Sequence, residues 1–378
     1  MEGLRVAVIG GSIAGLSAAT ALHRLGAAVT VFEKSPTAFH GRGGSLGFCD
    51  VPLWEQLAGR RMLRRGAPST RRQGAWLYGD LWKFLAEGLP AGVLRLGAAV
   101  SDLGDNAARP TVLGEAFDLA VVADGGWSAL RAKYFDARHP DYAGYAIYRF
   151  RVERARVPGW DAEGSYESAL GDPFFTIQMN IAKDDGSDWL MGGTSVACPE
   201  GTLPPPDAGA SRQAGDPDRA TGDWFVRRFY SEHFPHAGGA LHRAMAAAAA
   251  HGKISGLPLY EFAARSVVSG ARVLVGDAAH MASPRTAVGA HTAVLDAAAL
   301  HDAFARALRE GGRDGLVARA LAAYERPALR RAAELYQRSK QVSAPVAWRE
   351  GLTPRAAAVA ARVGGAGAAT EEAGGGRA

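Results

Sequence analysis

The feature that most constrains this chain lies at its N-terminus. An apolar run at residues 4–9 is followed by Gly10, Gly11, Ser12, Ile13, Ala14 and Gly15, then by an Ala/Leu-rich stretch closed by Gly26. The apolar run reads as a strand, residues 10–15 as a tight turn and 16–25 as a helix, and a second apolar run at 29–32 completes a βαβ unit. Strands apolar at nearly every position are buried on both faces, which is the habit of a parallel sheet. Residues 117–123 and 271–275 read as further strands of that sheet.

A glycine-rich turn feeding a helix offers bare backbone N–H groups and the positive end of the helix dipole, which together suit a phosphate. Glu33, at the end of the second strand, is placed to accept hydrogen bonds from ribose hydroxyls. The middle glycine of G-x-G-x-x-G is Ser12 here, so the fingerprint is imperfect, and a merely structural glycine turn is the other reading. A second stretch, residues 272–280 (RVLVGDAAH), sets Gly276 and Asp277 directly after an apolar strand, with Pro284 and then Ala287, Val288 and Gly289 opening a helix. A carboxylate there can hold a polyol, and the helix N-terminus can stabilise negative charge on a ring carbonyl and its nitrogen. Alone, the stretch is also explained by Asp277 capping a helix. Taken together, the two stretches form half-sites for one extended flavin dinucleotide.

Composition removes several function classes. Over 378 residues, 48% are hydrophobic and 21% charged, with net charge +5, which excludes a disordered polyelectrolyte. Two cysteines, Cys49 and Cys198, exclude a disulfide scaffold and point to a reducing, cytoplasmic setting. The basic run Arg60, Arg61, Arg64, Arg65, Arg71 and Arg72 reads as a solvated surface, so no nucleic-acid partner is expected. Neither a membrane span nor a metal site is expected, because no apolar stretch is long enough and the ten histidines are scattered.

With residues 10–15, Glu33, GRGG at 41–44, ADGGWSALR at 123–131 and GDAAHMASP at 276–284, the chain resembles the class A flavin monooxygenases of the para-hydroxybenzoate hydroxylase type. HGRGGSLG, PDYAGYAIYRF and SPRTAVGAHTAVLDAAAL are most similar to the branch containing 2,6-dihydroxypyridine 3-hydroxylase. The resemblance implies an α/β fold: a Rossmann-like, glutathione-reductase-like FAD domain at 1–135 and 262–312, and an inserted, mainly antiparallel β substrate lobe at 136–261. Part of 70–95 is shared with that lobe, C-terminal helices follow at 313–362, and a flexible tail occupies 363–378.

The resemblance also implies site residues. Gly10, Ser12, Ile13, Ala14 and Gly15 would lie near the pyrophosphate, with Glu33 and Lys34 by the adenosine ribose. Arg42 and Gly43 would lie near the pyrophosphate or ring, and the Val100 backbone by the adenine. Asp124, Gly125 and Arg131 match a second nucleotide motif. Asp277 would hold the ribityl chain, while Pro284, Ala287, Val288 and Gly289 would border the ring. A flavin-side arginine usual in the family is replaced by Lys83, and the usual Gly-x-Gly-x-Asn helix opening by Ala287 to His291. The implied chemistry is hydroxylation of a small aromatic or heteroaromatic substrate with O2 and NAD(P)H, through a flavin C4a-hydroperoxide. A reductase, a halogenase-like enzyme or a flavin protein without turnover is the alternative, although no W-x-W-x-I-P halogenase motif is present.

No catalytic residue is fixed by sequence. His291 and Tyr148 are the foremost candidates, with His280, Arg149, His40 and Tyr260 behind them. His280 reads rather as a structural hydrogen-bonding residue, and Cys49 as a small apolar wall near the ring. Alternation along a strand allows only one of Tyr148 and Arg149 to face a cavity.

Overall fold

The computed structural model describes residues 1–39, 45–46, 50–62, 76–157, 176–182, 188–197, 200, 246–248, 250 and 254–347. The first half runs β1 (Arg5–Ile9), α1 (Ile13–Arg24), β2 (Ala28–Glu33), β3 (Ser45–Leu46), α2 (Val51–Ala58), β4 (Trp76–Leu77), α3 (Tyr78–Ala86), β5 (Leu94–Leu96), β6 (Thr111–Val112), β7 (Glu115–Ala116), β8 (Leu119–Val122) and α4 (Ala129–Tyr134). There follow β9 (Asp141–Glu153), β10 (Thr176–Ala182), β11 (Asp188–Ala197), β12 (Ile254–Ala263), β13 (Val268–Ser269), β14 (Arg272–Leu274), β15 (His280–Met281) and two long helices, α5 (Gly289–Gly311) and α6 (Leu316–Ser343).

A six-stranded sheet has the order β13-β14-β8-β1-β2-β5 and is parallel except at the β13–β14 edge. Val6, Val8, Leu119, Val121 and Val273 are buried completely, so both faces are covered, as the unbroken apolar runs require. On one side α1 presents small side chains to the sheet: Gly15, Ala18, Ala19 and Ala21 let the helix lie close. Helix α5 packs on α1 and α6 packs on α5, with Leu300, Phe304 and Leu321 in the seam. Truncating a side chain as deeply buried as Leu16 costs on the order of 2–5 kcal/mol.

Two predicted boundaries shift for identifiable reasons. Helix α1 begins at Ile13 rather than 16, because Gly10 makes the turn alone with φ of 108°. Helix α5 begins at Gly289 rather than 287, because Ala287 is left-handed with φ of 57° and cannot join it.

The second sheet has the order β10-β11-β9-β12-β15, antiparallel throughout. Strand β12 continues to Ala263, past the lobe boundary expected at 261, because Phe262 and Ala263 still pair with β15. Entry to and exit from this lobe are tied together. Asp136 accepts from Arg138 and from the Arg265 N–H at 2.9 Å, and Arg138 donates to the Ala263 carbonyl at 2.8 Å. The Arg138 guanidinium also lies over the Phe262 ring. Among the described residues no helix is long and apolar enough to cross a membrane.

Candidate active site

The turn after β1 accepts only glycine at its two ends. A Cβ on Gly10 would stand 2.2 Å from the Ala123 carbonyl oxygen, and one on Gly15 would stand 1.8 Å from the Gly10 oxygen. Glu33 is buried, and its two carboxylate oxygens accept from the N–H groups of Gly11 and Ser35, each at 2.7 Å. Each oxygen keeps a lone pair for a further donor such as a ribose hydroxyl. Lys34 is exposed beside it, and Val100 is partly buried against the sheet edge beyond β5.

Ser12 does not cap α1 with its side chain; its Oγ meets the Tyr78 hydroxyl at 2.7 Å. Tyr78 and Trp82 lie one turn apart on α3 and both reach the glycine turn, Trp82 Nε1 donating to the Gly11 carbonyl at 2.6 Å. Phe39 packs edge-on against both rings. Burial pushes the Tyr78 phenol up to about 12, against the hydrogen bond from Ser12, so it stays a neutral donor. The part of 70–95 seen in α3 therefore lies on the N-terminal unit, against α1. Lys83 does not replace the missing arginine: it is exposed and pairs with Glu87 at 3.7 Å, five residues round the helix from Tyr78. The usable signal in the sequence was the Tyr78/Trp82 spacing.

The second half-site meets the first directly. Gly276 has φ of 61°, and a Cβ on it would stand 2.5 Å from the Ala14 Cβ. Asp277 follows, reached by solvent yet crowded by protein, as befits a cleft wall. That crowding raises its pKa, and nearby His280 opposes the rise. Behind it Asp296 is a fully buried hub. It accepts from the Gly276 N–H at 3.0 Å, from Arg331 at 3.0 Å and 3.1 Å, and sits 2.6 Å from His280 Nε2. Burial alone would lower the His280 pKa, but the Asp296 carboxylate outweighs it and the net shift is upward. His280 thus holds the loop from behind.

The motif at 123–131 closes the cleft from the side. Arg131 donates to the Gly126 carbonyl at 2.7 Å and reaches the Ala278 carbonyl at 3.4 Å, with its guanidinium over the Phe262 ring. It clamps two loops together instead of facing a ligand. Asp124 has a buried Oδ1 with no hydrogen-bond partner, and burial raises its pKa. An orphaned acceptor in the cleft fits a cofactor hydroxyl.

At the ring end, Ser283 caps the short turn Pro284–Thr286 through the Arg285 N–H. Ala287 and Val288 then lead to Gly289, around whose Cα nothing lies where a Cβ would be, so the start of α5 opens on free space. His291 sits half-buried in the first turn of α5; burial lowers its pKa, and the Asp50 carboxylate opposes this. Arg42, Gly43, His40 and Cys49 lie outside the described residues. Tyr260 is not at the cleft floor: it stacks edge-on with exposed Trp127 at 4.6 Å and donates to Glu200.

The two halves, about 260 residues apart in sequence, therefore converge on one crevice with donors, acceptors and an open helix N-terminus. The family described as FAD binding domain matches residues 217–339, and the one described as pyridine nucleotide-disulphide oxidoreductase matches 5–42. A 3-amino-4-hydroxybenzoate 2-monooxygenase of Streptomyces platensis is 27% identical over 372 residues, 89% of this chain and 87% of that protein. The chain is similar to the class A FAD-dependent aromatic monooxygenases.

Solved structures share this fold. That of 2,6-dihydroxypyridine-3-hydroxylase from Arthrobacter nicotinovorans has a TM-score of 0.73 at 20% identity, covering 93% of this chain and 95% of its own. That of Klebsiella pneumoniae HpxO, complexed with FAD and uric acid, has a TM-score of 0.65 at 21% identity, covering 93% and 90%. The cofactor is FAD.

Tyr148 and Arg149 are separated by the pleat. Tyr145, Ile147 and Arg149 share one face of β9, and Tyr148 is buried on the other. Tyr145 hydrogen-bonds Ser283 through its hydroxyl, so the Arg149 face is the one turned to the ring-side loop. Among the described residues, no cluster of His, Cys, Asp or Glu could hold a metal ion.

Proposed function

We propose that the chain hydroxylates an aromatic or heteroaromatic ring, consuming one O2 and one NAD(P)H, placing one oxygen atom on the ring and releasing the other as water. The observation that carries this reading is the contact between Gly276 and Ala14, which draws both half-sites into one crevice under the antiparallel sheet. FAD, when bound, supplies the two-electron activation of O2.

The chain's own groups then have distinct tasks. The N-terminus of α1 and the Ser12 and Tyr78 hydroxyls face the pyrophosphate, Glu33 the adenosine ribose, and Asp277 and the orphaned Asp124 Oδ1 the sugar-like hydroxyls. The open start of α5 faces the pyrimidine side of the ring, where its dipole favours negative charge. His291 takes the proton from a ring hydroxyl onto an imidazole nitrogen: its lowered pKa keeps it neutral near pH 7 and so able to accept one. The sheet face carrying Tyr145 and Arg149 roofs the cleft and excludes water.

Turnover under ¹⁸O2 with a panel of hydroxylated aromatics tests the proposal. One labelled atom in the product, with stoichiometric NADH or NADPH oxidation, is the expected result. Yellow, FAD-loaded protein that oxidises NAD(P)H with every panel member but labels none of them would overturn it.

A further inference from the structure

The C-terminal end of α6 gathers around one buried carboxylate. Glu261, on β12, is wholly buried, and its Oε1 accepts from the hydroxyls of Ser339 and Ser343, each at 2.6 Å. Lys340 Nζ stands 3.1 Å from Oε2. Ser339 Oγ in turn accepts from the Ser283 N–H at 2.7 Å, and Ser343 Oγ lies 3.3 Å from the Tyr145 hydroxyl, which also hydrogen-bonds Ser283 Oγ. Arg285 adds a further tie, donating from Nε to the Val342 carbonyl at 3.1 Å. Val346, just past the helix, joins Tyr145 and Leu259 in a buried apolar cluster.

A carboxylate carries no proton, so both serines must spend theirs on Glu261. Ser343 Oγ is then left to accept from Tyr145, and Tyr145, its one proton committed, can only accept from the Ser283 hydroxyl. Ser283 keeps a lone pair on Oγ for the Arg285 N–H at 3.1 Å, the bond that caps the turn Pro284–Thr286. The orientation of every hydroxyl, from β12 to the turn before the open start of α5, thus follows from one charge. Lys340 balances that charge from the solvent side, where Asp141 and Tyr336 also lie. A glutamine could not do the same: with its NH2 kept away from the Lys340 ammonium, it would turn donors toward the serines and reverse the chain.

We propose that Glu261 is a positioning residue: acting through Ser339 and Ser343, it holds the ring-side turn in the place that oxygen transfer requires. The inference rests on the hydroxylase reading and adds to it the end of α6, which no glycine motif reports. A turn released by even about 1 Å misplaces the reacting ring, at a cost of up to about 100-fold in the transfer step. NAD(P)H, a proton and O2 then leave as NAD(P)+ and H2O2, with no oxygen on the ring.

Glu261→Gln, prepared with bound FAD, tests the assignment by two readouts that fold stability alone would not move. These are the flavin's visible absorption band and the H2O2 released per NAD(P)H oxidised with a hydroxylated aromatic present. The band should shift, H2O2 release should rise at least about 3-fold and kcat for product should fall about 10-fold or more, while KM for NAD(P)H stays within about 2-fold. Ser339→Ala combined with Ser343→Ala should give the same signature, and Glu261→Gln added to that pair should change it no further. An unaltered band and H2O2 yield in folded Glu261→Gln, or a full effect of the substitution in the serine-free background, overturns the proposal. If Glu261→Gln does not fold, Ser339→Ala and Ser343→Ala taken singly decide: each should raise H2O2 release, and wild-type values in both overturn the proposal. A wild-type protein that never labels a product under ¹⁸O2 would overturn the hydroxylase reading instead. A band shift that Glu261→Gln causes only when both serines are present would still uphold the positioning role.

Discussion

Gly276 and Ala14 touch so closely that a Cβ on the glycine would stand 2.5 Å from the alanine's. This contact joins the start of the last flavin motif to the first turn of α1. Gly276→Ala adds a collision to a left-handed backbone, each costing on the order of 1–3 kcal/mol. We expect at least about a tenfold loss of FAD affinity, read by fluorescence titration. Unchanged affinity with an intact circular dichroism spectrum would show that the two motifs do not build one site.

Replacing Asp296 by Asn should cost about 3–5 kcal/mol, because His280 and Arg331 lose a buried partner. The pH dependence identifies the cause. The Asp296 pKa is lowered in the folded protein: burial raises it, but His280 and Arg331 prevail. Its contribution is present above its unfolded pKa near ~4 and is lost as pH falls through the folded value. The His280 pKa is raised, so its contribution is complete below ~6.5 and is lost as pH rises through the folded value. The gap between wild type and Asp296→Asn in urea unfolding should be widest from about pH 4 to 6.5. A gap independent of pH would show that the hub does not act through its charge.

Ala287 holds a left-handed conformation with φ of 57°, which L side chains adopt at a cost of roughly 1–2 kcal/mol. Ala287→Gly removes that strain and adds some unfolded-state freedom, for a net stabilisation of up to about 1 kcal/mol. Thermal unfolding of the FAD-free protein measures it. Destabilisation would mean that the alanine methyl makes packing contacts that outweigh its backbone strain.

His291→Gln should lower kcat for a phenolic substrate by about 100-fold or more, while FAD affinity stays within about 3-fold. The acid limb of the kcat/KM profile, set by a histidine whose pKa lies below its ordinary value, should disappear with it. An acid limb that survives the substitution would assign the proton transfer elsewhere.

The middle of the parallel sheet could be read from sequence because its strands carry unbroken apolar runs, as in VAVI of β1 and LAVV of β8, whereas the short edge strands β5 (LRL) and β13 (VS) carry none. The half-sites could be read because glycine positions such as Gly10 and Gly15 report backbone geometry directly. Contacts between side chains distant in sequence were hidden. Ser12 meets Tyr78 across 66 residues, and Arg131 reaches Ala278 across 147. Periodicity does not report such distances. Strand alternation showed that Tyr148 and Arg149 part company, but only the Tyr145–Ser283 bond shows which face looks into the cleft. Lys83 misled for a similar reason: a cation near the expected position turns outward when the inward face of its helix is already aromatic.

The antiparallel lobe leaves and rejoins the cofactor platform at a single stitched point, where Asp136 and Arg138 hold Ala263 and Arg265. Everything threaded between those anchors can lengthen, shorten or change its inward-facing residues while the platform stays where it is. A chain built this way can rewrite its ceiling, with its redox floor inherited intact.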